Sequence, residues 1–313
     1  MFFKKNLMKL VPLTIVVALL IGYAADTSVL KGLVTYVLFF MIYPMMINLN
    51  TLDVFKTFQN PKKIIIATVI NFVLAPVTAI ILSRIFFTNY PSLAFGMLVI
   101  SVLPTSGMTA SWTGLSGGNL KLSLAIMSSN LLLSIIALPF YLSLLNNTGM
   151  TVETSVIVGS LIKVVVLPLL LGDATRRLIL KLKGPAVFKK AKPYFGEISS
   201  FFVLMIIFIA VSLKSKMILS NPTLALYAMV PMTIFYIIIM TVSHMFGKRF
   251  DKSDQIALVF STTMRNLTIA LGIVMGIEGG SLAVFLMALS YMVQLPIATF
   301  YHHLSVKRLA QTS

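Results

Sequence analysis

No cysteine occurs in the 313 residues, so disulfides, thiolate metal sites and a cysteine nucleophile are all excluded. Acids are nearly as scarce: eight Asp and Glu stand against 25 Lys and Arg, a net charge of +17. Those eight (Asp26, Asp53, Glu153, Asp173, Glu197, Asp251, Asp254 and Glu278) fall at the ends of apolar segments or between them. The three histidines, His244, His302 and His303, show no metal-ligand spacing, and no glycine-rich loop leads into Lys-Ser or Lys-Thr. Without paired acids, a Ser–His pair or metal ligands, the pattern disfavours an enzyme, a metal centre and direct ATP coupling. The basic surplus is scattered through short loops, which argues against nucleic acid as a partner.

Charge of either sign is sparse, at 11% of residues, while 58% are hydrophobic and the mean hydropathy is +0.98. So little polar surface cannot coat a soluble globule of this length, and lipid is the implied solvent. A spanning helix needs ~20 mostly apolar residues. Ten such windows occur, at about 7–24, 32–48, 63–86, 92–116, 120–145, 153–172, 198–213, 223–246, 254–277 and 281–303. The first has a basic flank but no obvious cleavage site, so it reads as a retained helix rather than a signal peptide. With the N-terminus inside, 19 of the 25 basic residues fall on the cytoplasmic side and only Lys31, Arg84, Lys214 and Lys216 outside. This positive-inside bias predicts a multi-pass protein of the cell (inner or plasma) membrane with both termini cytoplasmic. Seven of the basic residues lie in 176–192, within a 173–197 segment read as a cytoplasmic loop between halves, with anionic lipid headgroups as its expected partner.

Two dipeptide pairs suggest an internal repeat. Asn60-Pro61 opens window three and Asn221-Pro222 window eight; Gly117-Gly118 precedes window five and Gly279-Gly280 window ten, at almost the same offset, a little over half the chain. Five windows per half is an odd number, so the second half would be inverted. Window four is interrupted by Pro104-Thr105-Ser106-Gly107-Met108-Thr109-Ala110-Ser111, and window nine by Ser261-Thr262-Thr263-Met264-Arg265-Asn266. Irregular polar backbone at membrane depth is tolerated only beside protein or a water-filled cavity. Paired breaks in matching positions of two halves point to the substrate site of a secondary transporter.

Arg265 is the sharpest residue of the chain. An arginine at mid-span costs at least ~2.5–3.5 kcal/mol on insertion scales and therefore needs a polar partner. No mid-span carboxylate is available, so either broken-helix carbonyls cap it or an anionic substrate completes the pair. Lys163, in window six, is a second candidate cation, though lysine can also snorkel to the interface.

At superfamily level these residues resemble the bile acid/sodium symporters, a group that also contains arsenite-efflux permeases. The resemblance is carried by Asn60-Pro61-Lys62 through Asn71 to Pro76, by Pro104 to Asn119, by Ser160 to Pro168 and by Met264-Arg265-Asn266. It implies an all-α membrane protein of ten transmembrane helices, in two inverted five-helix repeats with broken helices four and nine crossing in a core domain. Residues 1–172 would supply spans one, two and six of a panel domain and three, four and five of the core. Residues 198–313 would supply panel span seven and core spans eight, nine and ten. Asn71, Thr109, Ser111, Ser123, Ser261, Met264 and Arg265 would surround the region where sodium binds in bile-acid-type members. Thr105, Ser106, Thr262, Thr263, Asn266 and Thr268 complete the candidate site.

The departures from the pattern are informative. Sodium-coupled members carry Glu where this chain has Ser261 and Gln where it has Arg265, so a sodium ion would find its ligands substituted. The arsenite branch, resembled at Tyr43-Pro44-Met45-Met46, carries a Cys in the first break and a Glu in span nine, where this chain has Thr105 or Ser106 and Thr268. The reading is a secondary carrier that moves a small organic anion by alternating access and needs no cofactor. The alternatives are an arsenite-permease-like exporter and a non-transporting ligand receptor; the oligomeric state is left open.

Overall fold

The computed structural model describes residues 2–47, 61–103, 105–106, 108–144, 159, 162, 166–275 and 281–310. Asn60, Pro104, Gly107, Lys163 and Gly279-Gly280 lie outside them. Every element among the described residues is helical: α1 (Phe2–Ala24), α2 (Val34–Ile47), α3 (Pro61–Phe86), α4 (Pro91–Val102), α5 (Met108–Leu115), α6 (Leu120–Leu144), α7 (Leu167–Ser212), α8 (Ser215–Ser220), α9 (Pro222–Gly247), α10 (Lys252–Thr263), α11 (Leu267–Met275) and α12 (Ser281–Ala310). Only helices and closed barrels satisfy all their backbone groups in lipid, and long runs of Leu, Ile, Val and Ala choose the helix. Proline opens α3, α4 and α9, where its missing N–H costs nothing. Six helical stretches are long and apolar enough to cross a membrane, joined by the shorter apolar helices Lys9–Ala24 and Pro91–Val102. The protein is an all-helical, polytopic membrane protein.

One expectation needs correction. Residues 173–197, read as a loop, are helical: α7 runs through them with one break at Gly184, whose φ of 77° and ψ of 169° reverse the chain ahead of Pro185. Hydropathy windows register burial in lipid, not backbone state, and a stretch rich in Leu, Lys, Arg and Ala keeps its helix once outside. The helical limbs on either side of Gly184 therefore run past the ends of the apolar windows.

Packing divides the elements into two groups. The first is α1, α2 and α7, with α1 and α2 each lying chiefly against α7; the second is α3 to α6 with α9 to α12. Within the first group, glycine permits two close crossings. A Cβ on Gly22 would stand 2.2 Å from the Ser212 carbonyl oxygen, and one on Gly172 would stand 2.6 Å from Met46 Cβ. Small residues are what let membrane helices approach so closely. Gly22→Ala is expected to destabilise the protein by ~1–3 kcal/mol, because the obstacle is backbone that cannot yield. A thermal melt of the purified protein in detergent checks this.

In the second group the helix starts recur at one interval. Pro61 and Pro222 open α3 and α9, Pro91 and Lys252 open α4 and α10, and Leu120 and Ser281 open α6 and α12, with the same spacing in all three pairs.

A half-buried ion pair ties this group together at one end. Asp254, in the first turn of α10 and 5% exposed, pairs with Lys63 of α3 and accepts a 2.7 Å hydrogen bond from Asn119 Nδ2 in the turn after α5. Asn119 N–H in turn donates to the Ser253 carbonyl at 2.8 Å. Asp254→Ala is expected to cost ~2–4 kcal/mol, since it strands both Lys63 and the Asn119 amide. The same melt reads it.

Candidate functional site

Each polar break separates two short helices, α4 from α5 and α10 from α11, and the breaks run past each other antiparallel. Thr105 N–H donates to the Met264 carbonyl at 2.8 Å, and Asn266 N–H donates to the Leu103 carbonyl at 2.8 Å. Thr105 and Asn266 are separated by 161 residues. Leu103 and Met264 have that same separation, and so do the paired helix starts. The two bonds therefore exchange under the interval that relates the helices. Asn266 Nδ2 adds a 3.3 Å bond to the Thr105 carbonyl, while its Oδ1 accepts from Ile269 N–H at 3.2 Å and caps α11. Thr105 is held at φ 61°, the one positive φ outside glycine among the described residues. A β-branched residue there is strained by about 1–3 kcal/mol, and such strain persists only where the surroundings impose it.

Arg265 sits at this crossing and is fully buried. Its Nη1 donates to the Ser101 carbonyl at 3.1 Å and its Nη2 to the Thr262 carbonyl at 2.5 Å. Those carbonyls belong to the last turns of α4 and α10, counterparts under the same interval. The guanidinium thus joins two C-terminal helix ends, where carbonyls lack intrahelical donors and the macrodipole favours a cation. It also lies over the Phe235 ring, 5.5 Å from its centroid. The Arg265 backbone N–H donates to Gln294 Oε1 at 2.7 Å, and Tyr236 donates to the same oxygen at 2.9 Å. Arg265 Nε and Gln294 Nε2 have no hydrogen-bond partner among the described residues.

A second polar group gathers around Ser261. Asn71, in the π-turn Ile70–Leu74 of α3, donates from Nδ2 to the Ser261 carbonyl at 3.1 Å. Ser261 Oγ donates to Ser123 Oγ at 3.2 Å, and Ser123 Oγ also receives a 3.2 Å bond from Thr113. Asn71 Oδ1 and Thr109 Oγ1 are buried and unpaired among the described residues. This group offers neutral oxygens alone.

The remaining candidates fall as follows. Ser106 Oγ accepts from Met108 N–H at 3.2 Å and caps α5. Thr262 Oγ1 stands 2.9 Å from the Leu258 carbonyl and 2.6 Å from Ser243 Oγ. Thr263 Oγ1 is buried without a partner among the described residues, and Met264 is fully buried at the crossing. Ser111 is half-buried on α5 and joins none of these contacts. Thr268 is helical in α11, but its side chain lies outside the described residues. Gln294, Ser101, Tyr236 and Thr113 did not stand out in the sequence. Gln294 was the findable one, as an uncharged amide inside an otherwise apolar window.

Against known proteins, residues 35–221 match the family described as the Sodium Bile acid symporter family. The chain is 24% identical over 265 residues to the arsenical-resistance protein Acr3 of Alkaliphilus metalliredigens, covering 79% of this chain and 74% of that one. It is 26% identical over 271 residues to the uncharacterized transporter slr0944 of Synechocystis sp., covering 78% and 70%. To the arsenical-resistance protein Acr3 of Corynebacterium glutamicum it is 22% identical over 306 residues, covering 88% and 82%.

Proposed function

The chain belongs to the sodium bile acid symporter family, and from that premise we propose that it is a secondary carrier for a small organic anion, with Arg265 in the place of a coupling cation. The observation that carries this reading is the guanidinium bridging the Ser101 and Thr262 carbonyls. Two helix ends that would attract a dissolved cation already hold a resident one. The carbonyls are neutral, so the site keeps a net positive charge, and among the described residues the only buried acid, Asp254, is matched by Lys63. A substrate carboxylate or similar anion completes the balance.

The architecture in this reading is ten spans in two inverted repeats. Its panel is α1, α2 and α7, its core is α3 to α6 with α9 to α12, and both termini are cytoplasmic. The common interval in helix starts, crossing bonds and capped carbonyls supports the repeat. Alternating access would move the core against the panel around the crossing.

Uptake of radiolabelled organic anions into proteoliposomes, with sodium replaced by choline, tests the proposal. Transport that survives the replacement is the expected result; sodium stimulation of tenfold or more overturns the resident-cation reading. A second reading follows from the printed names of two relatives, that the cargo is an arsenical. Against it stands the absence of cysteine, since trivalent arsenic favours thiolate ligands. Arsenite resistance conferred on an arsenite-sensitive bacterial strain, undiminished in Arg265→Ala, would favour that second reading.

A further inference from the structure

The helical hairpin of α7 is unlike the rest of the molecule. At its base Thr175 Oγ1 meets Tyr43 OH at 2.7 Å, and Glu197 Oε1 accepts from Phe3 N–H at 2.7 Å. These contacts tie it to α1 and α2. Beyond them, residues 176–196 carry seven basic residues and no acid. Six of the seven are exposed: Arg177, Lys181, Lys183, Lys189, Lys190 and Lys192. Between them stand exposed apolar side chains, Leu178 at 56%, Leu182 at 66%, Val187 at 46% and Tyr194 at 63%. Across the turn at Gly184 the limbs share a small core, with Arg176 over the Phe188 ring at 5.6 Å and Phe188 6.4 Å from Phe195. The hairpin therefore holds its own shape.

A surface that only meets water has no use for four exposed large apolar groups, and closely spaced cations there repel one another. Cations interleaved with apolar groups on a helix fit the boundary layer of a bilayer, where phosphates meet acyl chains. We infer that this hairpin lies on the membrane surface and binds anionic phospholipid. Its lysines meet headgroup phosphates, while Leu178, Leu182, Val187 and Tyr194 dip among the chains. Nucleic acid or an acidic protein would satisfy the lysines but leave the leucines exposed. The bilayer that holds α7 is continuous with the hairpin, which makes it the nearest source of such charge.

The absence of cysteine permits a clean test. The full chain bearing Leu182→Cys, labelled with bimane, is placed in nanodiscs of phosphatidylcholine alone or mixed with phosphatidylglycerol. In the mixed discs the label is expected to be shielded from acrylamide, an uncharged quencher that the lipid charge does not repel, with quenching lower by about fivefold, and to be quenched by brominated lipid. In phosphatidylcholine, or in mixed discs at 1 M salt, where the Debye length falls to about 3 Å, acrylamide should reach it. Lys181→Gln, Lys183→Gln, Lys189→Gln, Lys190→Gln and Lys192→Gln together should abolish the difference between lipids. Equal acrylamide access in both disc types, or shielding indifferent to salt, overturns the inference. The salt arm requires no further variant and so stands even where the glutamine variant fails to fold.

Discussion

Arg265→Ala is expected to destabilise the purified protein by ~2–4 kcal/mol and to lower anion uptake to less than about a tenth of wild type. Two effects oppose each other. Removing a buried charge relieves its desolvation cost, and replacing a whole ion pair by apolar groups is often neutral. Here, however, the partners are the Ser101 and Thr262 carbonyls, which stay behind unpaired at ~1–3 kcal/mol each. A fully buried long side chain also leaves a cavity that the crossing cannot easily close. Stranded carbonyls and cavity together outweigh the relief. Arg265→Lys separates geometry from charge: an ammonium is a point donor, not a planar fork, so it reaches one carbonyl well and the other poorly. It should fall between wild type and alanine in thermal midpoint. An alanine variant that melts with wild type would remove the capping role; one that melts early yet transports normally would remove the anion role alone.

The two breaks were legible in the sequence because polar residues in an apolar window are costly and hence conspicuous. Their partners were not. Ser101 and Thr262 contribute backbone carbonyls, and any residue type supplies one of those, so nothing in the side-chain pattern marks them. Asn71, Ser123 and Ser261 were named and do share one hydrogen-bonded group. Ser111, named with them, joins none of these bonds: it stands two residues from both Thr109 and Thr113, about 200 degrees around the helix. The common interval was visible as two dipeptide matches and is sharper in the starts of three pairs of helices, because caps and prolines punctuate helices while lipid-facing residues between them interchange freely. Asp254 shows the opposite difficulty: at a window's end its position is that of an ordinary interfacial acid, and only the approach of α3 and the turn after α5 buries it and gives it partners. The hairpin was missed as structure and found as charge, since hydropathy reports the solvent rather than the backbone.

The interval also explains why one arginine suffices, and that leads to the second large effect. Arg265 follows Pro104 at the spacing that relates Asn266 to Thr105, so residues 104 and 265 are counterparts in the two breaks. The guanidinium at 265 reaches both capped carbonyls. The crossing thus has room for one cation, resident or dissolved. Removing the resident one and restoring an acid should open the place to an ion: Ser261→Glu with Arg265→Gln is expected to gain a sodium-dependent rise in thermal midpoint of about 3–8 °C, which wild type lacks. Potassium and choline at equal ionic strength should give less. Ser261→Glu alone should instead be indifferent to sodium, its carboxylate pairing with Arg265. Should the double variant fail to fold, Arg265→Gln alone carries the test with a smaller sodium shift. A wild type already stabilised by sodium, or variants that ignore it, would show that the guanidinium and the ion do not compete for one place.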